Sequence, residues 1–444
     1  MSGFVLAGRI LDPISPGCTS LTWSALRIDD HGIIAQRAEE GSNAYNDLCK
    51  SPGTISLSAD SILMPGLTDL HIHAPQWPQA GKALDLPLEQ WLGRYTFPLE
   101  SRYADLDFAA CVYDELVPTL LRNGTTTALY FATIHEEASL ELAKSCLRHG
   151  QRGFVGLVAM DDPQLCPPEY RNSSAAAAIE ATRRFITAVQ QLPGNESGLV
   201  QPVITPRFIP ACSDALLQGL GDLARETGVR VQTHASESDW EHQHVLSRLH
   251  CTDTEALDSF GLLRPCTILA HSNFVTHQDR TLIRNRSAGL AHCPISNAFF
   301  AGAVLPVRKI LDENVRCGLG TDISGGYSPS ILENARQAVL AARMLDSGTD
   351  PHISPQSRGA PSNRIDFQEA FWLATRGGAE ALGVPTGQLQ TGMTFDALEI
   401  TSGRSSLRLD LNENGPTAAQ KIVCHAGPEN IARVWINGRL IRKE

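Results

Sequence analysis

At 444 residues, 42% hydrophobic and 19% charged, the sequence has the makeup of an ordinary globular chain with room for a large core, which excludes wholesale disorder. A net charge of −11 disfavours binding to nucleic-acid backbones, which needs a basic footprint. No apolar run is long enough to span a bilayer, no signal peptide is evident, and eleven scattered cysteines without a CxxC pair point to reduced thiols in the cytoplasm.

Residues 1–60 read as short strands separated by turns: Phe4–Leu11, Leu21–Ile28, Gly32–Gln36 and Thr54–Leu57. From Ile62 the character changes to strand-like runs alternating with helix-like runs, the pattern of βα units around a parallel sheet. Eight strands are predicted: Ile62–His71, Thr125–Phe131, Gly153–Met160, Leu199–Thr205, Val229–Thr233, Cys266–Ala270, Gly289–His292 and Val315–Gly320. Helical stretches lie between them, among them Asp107–Arg122, Glu136–His149, Ser173–Gln191 and Ser213–Thr227. Pro329–Leu345 and Asp366–Leu382 follow the eighth strand. Asp346–Arg364, rich in Ser, Pro, Gly and Asp, reads as a long loop or insertion. Val384–Glu444 returns to short strands and carries a hairpin signal at Asn437-Gly438. The expected fold is therefore α/β: a (β/α)8 TIM barrel over residues 65–383, with a small β-sandwich domain formed from both chain ends, residues 1–64 and 384–444. A doubly wound sheet fits less well, because no Gly-rich phosphate turn follows the first strand.

In such a barrel the chemistry sits at the C-terminal ends of the strands. Strand one ends in His71-Ile72-His73, whose rings share one face because residues i and i+2 of a strand point the same way. Strand five runs into His234-Ala235-Ser236-Glu237, strand six ends at His271, and strand eight ends in Thr321-Asp322. His71, His73, His234 and Asp322 supply three nitrogens and one oxygen, a set that suits one zinc ion, and suits iron too. Zinc would bring the pKa of a water in that site to about 7. Glu237, three residues past His234, is placed to shuttle its proton. His271 can hydrogen-bond the same water or polarise a substrate, and Asp322 can accept a proton as well as ligate.

Barrel hydrolases with two metals bridge them with a carboxylated lysine after strand four. None of the six lysines here lies there; Arg207 does, so one metal per subunit is expected. Other histidines read as bystanders. His242 and His244 form a second HxH inside a predicted helix, where i and i+2 diverge, and are expected to face solvent. His135-Glu136-Glu137 lacks the P-C-x-x-C partner that an H-x-E deaminase motif requires. His292-Cys293, at the end of strand seven, reads as structural.

From about Pro65 to Gly383 the sequence resembles the amidohydrolase superfamily, in its single-zinc aminohydrolase branch. The resemblance is carried by Pro65-Gly66-Leu67-Thr68-Asp69-Leu70-His71-Ile72-His73-Ala74-Pro75-Gln76, by Asn123-Gly124-Thr125-Thr126-Thr127-Ala128, by Ala291-His292-Cys293-Pro294 and by Gly318-Leu319-Gly320-Thr321-Asp322. Two narrower stretches, Trp91–Glu100 and Thr205-Pro206-Arg207-Phe208, are similar to the members that deaminate guanine. The resemblance implies a purine substrate held by Gln76 and Arg207, with Phe208 against the ring face. It implies attack at C2, proton delivery to N3 by Glu237, loss of ammonia to leave xanthine, and a homodimer. Against it, the Asp346–Arg364 loop looks longer and more polar than the family leads one to expect.

Overall fold

The two chain ends build one mixed sheet in the computed structural model, which describes residues 3–403 and 405–443. β1 (Phe4–Ser15), β2 (Cys18–Ile28) and β3 (Ile34–Glu39) are antiparallel neighbours, and β4 (Ile55–Ser56) and β5 (Ser61–Pro65) pair parallel to β1. Both faces of β1 are covered. Leu6 and Ile10 pack with Leu26, Leu63, Phe395 and Trp435, while Val5 and Ala7 pack with Ala25, Ala38 and Leu48. Leu48 belongs to a short helix, Asn43–Cys49, that the sequence reading did not anticipate.

The run from Ile62 to His71, expected to be one strand, is two. After β5 the chain passes Gly66 and begins β6 (Leu67–His73), the first barrel strand. The break follows from crowding: a Cβ on Gly66 would lie 2.1 Å from Thr126 Oγ1, and Gly66 N–H donates to the Asp396 carbonyl (3.0 Å) in the sheet.

The remaining barrel strands are β7 (Thr125–Phe131), β8 (Arg152–Ala159), β9 (Val200–Pro206), β10 (Gln232–Ala235), β11 (Ile268–His271), β12 (Gly289–His292) and β13 (Arg316–Leu319). All neighbours pair parallel, as β6 to β9 and β10 to β13. An Ile204–Val231 bridge joins the two groups on one side. On the other, Asp322 N–H donates to the His71 carbonyl (2.8 Å) and His73 N–H to the Ile323 carbonyl (2.7 Å), which closes the ring. Leu70, Leu129, Phe154, Val203, Ala270 and Ala291 fill its interior below the site. Outside, helices bury one stripe each; Leu106–Arg122 buries Val112, Tyr113, Leu116, Val117 and Leu120 at three- and four-residue spacing. Predicted strand ends differ from those found by a few residues, most at β10, because an apolar run marks a strand without marking where its pairing starts.

β14 (Ala397–Thr401), β15 (Ile431–Ile436) and β16 (Arg439–Lys443) complete the mixed sheet through β5. Asn437 and Gly438 both have positive φ (51° and 73°), the geometry of the expected two-residue hairpin turn. The Asp346–Arg364 stretch begins inside a helix, Ile331–Ser347, and then forms a loop closed at its base. The Asp346 carboxylate accepts from Asn363 N–H (3.1 Å) and Arg364 Nε (2.6 Å), and Ala360 N–H donates to the Leu345 carbonyl (2.9 Å). Among the described residues no helix is long and apolar enough to cross a membrane.

Sheet and barrel are stapled by a partly buried ion pair. Arg152 at the start of β8 meets the Asp396 carboxylate twice (3.0 and 3.1 Å), and Asp396 also accepts from Asn437 N–H (2.7 Å). The Asp396 side chain has no exposure. Asp396→Ala leaves the partly buried Arg152 guanidinium and the Asn437 N–H without their acceptor and should lower stability by about 2–3 kcal/mol, read as a drop in Tm. Activity per folded molecule should not change, because the pair lies at the opposite end of the barrel strands from the site.

Candidate active site

The strand ends deliver their polar side chains to one buried cluster. His71 and His73 project together from β6, with ring centroids 4.9 Å apart and edge to face. His234 comes from β10, with Nε2 2.9 Å from His73 Nε2. Asp322, just past β13, sets Oδ1 3.2 Å from His71 Nε2 and 3.7 Å from His73 Nε2. His271 ends β11, and its Nε2 lies 3.6 Å from Glu237 Oε1 and 3.8 Å from Asp322 Oδ2. Every one of these side chains is buried. Ser236, His271, Ser272 and Asp322 have positive φ (49°, 67°, 56° and 48°), so the turn residues that aim the cluster sit in backbone conformations that non-glycine residues seldom adopt.

The electrostatics favour a cation. Burial, reinforced by neighbouring positive groups, holds His71, His73 and His234 well below the usual histidine pKa, so their nitrogens stay neutral and carry lone pairs. His234 Nδ1 faces the Arg207 carbonyl (2.5 Å), which can only accept; Nδ1 is therefore protonated and Nε2 is bare. His71 Nε2 and His271 Nε2 are buried with no hydrogen-bond partner. Potential ligand atoms of His71, His73 and His234, and of His71, His271 and Asp322, lie within 4.8 Å of one another. The orphaned His71 nitrogen beside the Asp322 carboxylate fits a divalent metal, which would supply its missing partner, and His271 Nε2 is left free to meet a water. Burial and Asp322 push the Glu237 carboxyl well above the ordinary carboxylate range, and burial pushes Asp322 up too. A cation between them reverses that trend.

The Amidohydrolase family model matches residues 62–441. The chain belongs to the amidohydrolase family. A protein of Schizosaccharomyces pombe named probable guanine deaminase is 41% identical over 98% of this chain and 83% of its own length. Human guanine deaminase is 35% identical over 94% of this chain and 91% of its own. The crystal structure of guanine deaminase from C. acetobutylicum, with guanine bound in its active site, superposes with a TM-score of 0.88 at 29% identity, covering 99% of this chain and all of that one.

Beside the cluster, this amidohydrolase has a small cavity that combines apolar walls with a few convergent polar groups, as small-molecule sites do. Gln76, Arg207 and Phe208 line it together with His73, His234 and Glu237. Gln76 and Arg207 are joined by a residue the sequence reading did not single out. Glu100, fully buried, accepts from Arg207 Nη1 (2.6 Å), Arg207 Nη2 (3.1 Å) and Gln76 Nε2 (2.8 Å). Ser324 N–H holds the Gln76 carbonyl (3.2 Å), and the Arg207 guanidinium lies over the Phe97 ring. Burial alone would depress the Arg207 pKa, but Glu100 holds it above its ordinary value. Glu100 ends the Trp91–Glu100 stretch, so the signal was present as a carboxylate in a specific motif without an assigned partner. Leu88, Trp91 and Phe300 form an apolar wall, with the Trp91 and Phe300 rings 5.0 Å apart.

Asp69 plays a comparable supporting part beneath the candidate metal-binding cluster. Its buried carboxylate accepts from Thr321 Oγ1 (2.5 Å), Thr321 N–H (3.0 Å) and His71 N–H (3.1 Å), tying the end of β13 to β6 and setting Asp322 beside His71. Burial pushes its pKa up to about 7. Gly325 is needed nearby, since a Cβ there would lie 2.8 Å from Asp322 Oδ2.

Among the bystanders, His242 differs from expectation. It is not solvent-facing: its side chain is only 15% exposed, Nδ1 lies 3.7 Å from Asp253 Oδ2, and the ring stacks on Phe274. The i, i+2 divergence holds, but the neighbouring helix Asp253–Ser259 covers the side His242 takes. His244 is half-buried near Trp240. His135 packs on Tyr170, and His292 is buried with neither ring nitrogen partnered, its pKa pushed down to about 3 by burial. Neither lines the cavity, and none of its lining comes from the 346–364 stretch.

Proposed function

We propose that the chain is a guanine deaminase, hydrolysing guanine to xanthine and ammonia with one zinc ion per chain. The observation that carries this reading is the Glu100-held pair of Gln76 and Arg207, facing the same cavity as the His, Asp and Glu cluster. Relatives named guanine deaminase at 35–41% identity over nearly the whole chain support it. His71, His73, His234 and Asp322 hold the zinc, which supplies the Lewis acidity that lets water ionise near neutral pH.

The rest is the work of side chains. Arg207 donates to the ring oxygen or N7 of guanine, and Gln76, able to donate and accept, reads the ring edge. Phe208 contacts the ring face, and Leu88, Trp91 and Phe300 keep bulk water off it. As water adds at C2, Glu237 takes one proton and delivers it to N3. Asp322 takes the second proton from the new hydroxyl and passes it to the amine; the C2–N bond breaks, the freed oxygen electron pair closes the C2 carbonyl, and ammonia leaves. His271, whose Nε2 lies near both Glu237 and Asp322, hydrogen-bonds the same water.

The same reading carries a homodimer in the cytoplasm that binds neither nucleic acid nor membrane; all eleven cysteines are free, in keeping with a reducing compartment. Ammonia release from guanine, adenine, a pterin and a triazine tests the substrate. Guanine should be turned over far faster than the others; turnover of another amine with guanine left intact would replace this reading with a different aminohydrolase.

A further inference from the structure

Both polar atoms of the Glu237 main chain are held by buried side chains. Its N–H donates to Glu241 Oε2 (2.6 Å), and its carbonyl accepts from Asn273 Nδ2 (2.8 Å). The second contact starts a chain whose polarity is dictated throughout. A carbonyl only accepts, so Asn273 must present its amide nitrogen to Glu237 and its oxygen to the other side. That oxygen accepts from Asn297 Nδ2 (2.8 Å), which leaves Asn297 Oδ1 facing His271 Nδ1 (2.9 Å). An amide oxygen also only accepts, so His271 Nδ1 carries the proton and Nε2 is bare. Asn273 is 8% exposed, Asn297 2% and His271 not at all, so water does not compete for these bonds.

We infer that Asn273 and Asn297 are positioning residues that transmit the polarity of the Glu237 main-chain carbonyl to His271, fixing its tautomer with a bare Nε2 toward Glu237 and Asp322. The inference rests on the guanine deaminase reading for its catalytic consequence. His271 then receives a hydrogen bond from the attacking water rather than giving one, leaving a water lone pair directed at the substrate carbon. One chain of two amides thus orients the proton carrier and the water-orienting imidazole together, and a wrong tautomer would point an N–H at the reacting centre.

The test has two readouts on the full-length metal-loaded protein. Imidazole nitrogen NMR with labelled histidine, assigned by loss of the His271 signals in His271→Gln, should show Nδ1 protonated in the wild type. In Asn297→Ala that preference should be lost, while Asn297→Asp, which keeps the acceptor, should restore it. In guanine turnover, Asn297→Ala and Asn273→Ala should each lower kcat about 10–100-fold with metal content unchanged. KM should move by less than about threefold, and the double variant should lose about as much as the worse single one. A wild-type His271 protonated at Nε2, or fully additive kinetic losses, would overturn the inference. Should the wild type not deaminate guanine at all, the functional reading fails, and the tautomer measurement still decides this one.

Discussion

Glu237→Gln should keep its metal and its fold while losing about 10²–10⁴-fold in guanine turnover. The reasons are geometric. Glu237 is not one of the groups that converge on the shared ligand point of His71, His73 and His234, so the substitution leaves that set intact. Glutamine has the same shape, and the main-chain bonds to Glu241 and Asn273 do not involve the replaced carboxyl. What is removed is the capacity to take and return a proton at a buried position beside His271. Metal analysis and steady-state turnover of the same preparation check it. A variant that lost its metal would show Glu237 to be a ligand, and one that kept wild-type turnover would remove it from the mechanism.

The second large effect is expected at Glu100. Removing its carboxylate in Glu100→Ala leaves the Arg207 guanidinium, 2% exposed, without a partner in the barrel, a loss of about 3–5 kcal/mol. It also frees Gln76 at one end. Glu100→Gln is the milder probe: it keeps an acceptor but drops the charge and one of the two oxygens that Arg207 grips. If Arg207 and Gln76 orient guanine, displacing them by about 1 Å should cost about 10²-fold in kcat/KM. A folded Glu100→Gln with unchanged kcat/KM would take Arg207 out of substrate recognition. Thermal unfolding reads the first effect and guanine kinetics the second.

How much of this was legible in the sequence depended on how local the signal was. Period and punctuation mark strands and helices well, so β7, β12 and the helix Glu136–His149 fall where the sequence places them. The strand-end rule brought six separated residues to one end of the barrel, and the structure places them within contact of each other. Pairing is less legible. Ile62–His71 carries one unbroken apolar pattern, yet Gly66 divides it between two sheets because Thr126, sixty residues on, leaves no room for a side chain. Glu100 and Asp69 escaped for a related reason: a carboxylate's role depends on what it faces, and Arg207 and Thr321 lie 107 and 252 residues away. His242 was misjudged because helix geometry tells where a side chain diverges from its neighbour and not what packs over it.

The most direct test of a one-metal guanine deaminase is to strip the protein with a chelator and titrate zinc back while following xanthine formation from guanine. Turnover should vanish on stripping and rise linearly to a plateau at one zinc per chain, as expected for three histidines and one carboxylate with no lysine to bridge a second ion. Guanine turnover that survives complete stripping, or that needs a second equivalent, would contradict the account.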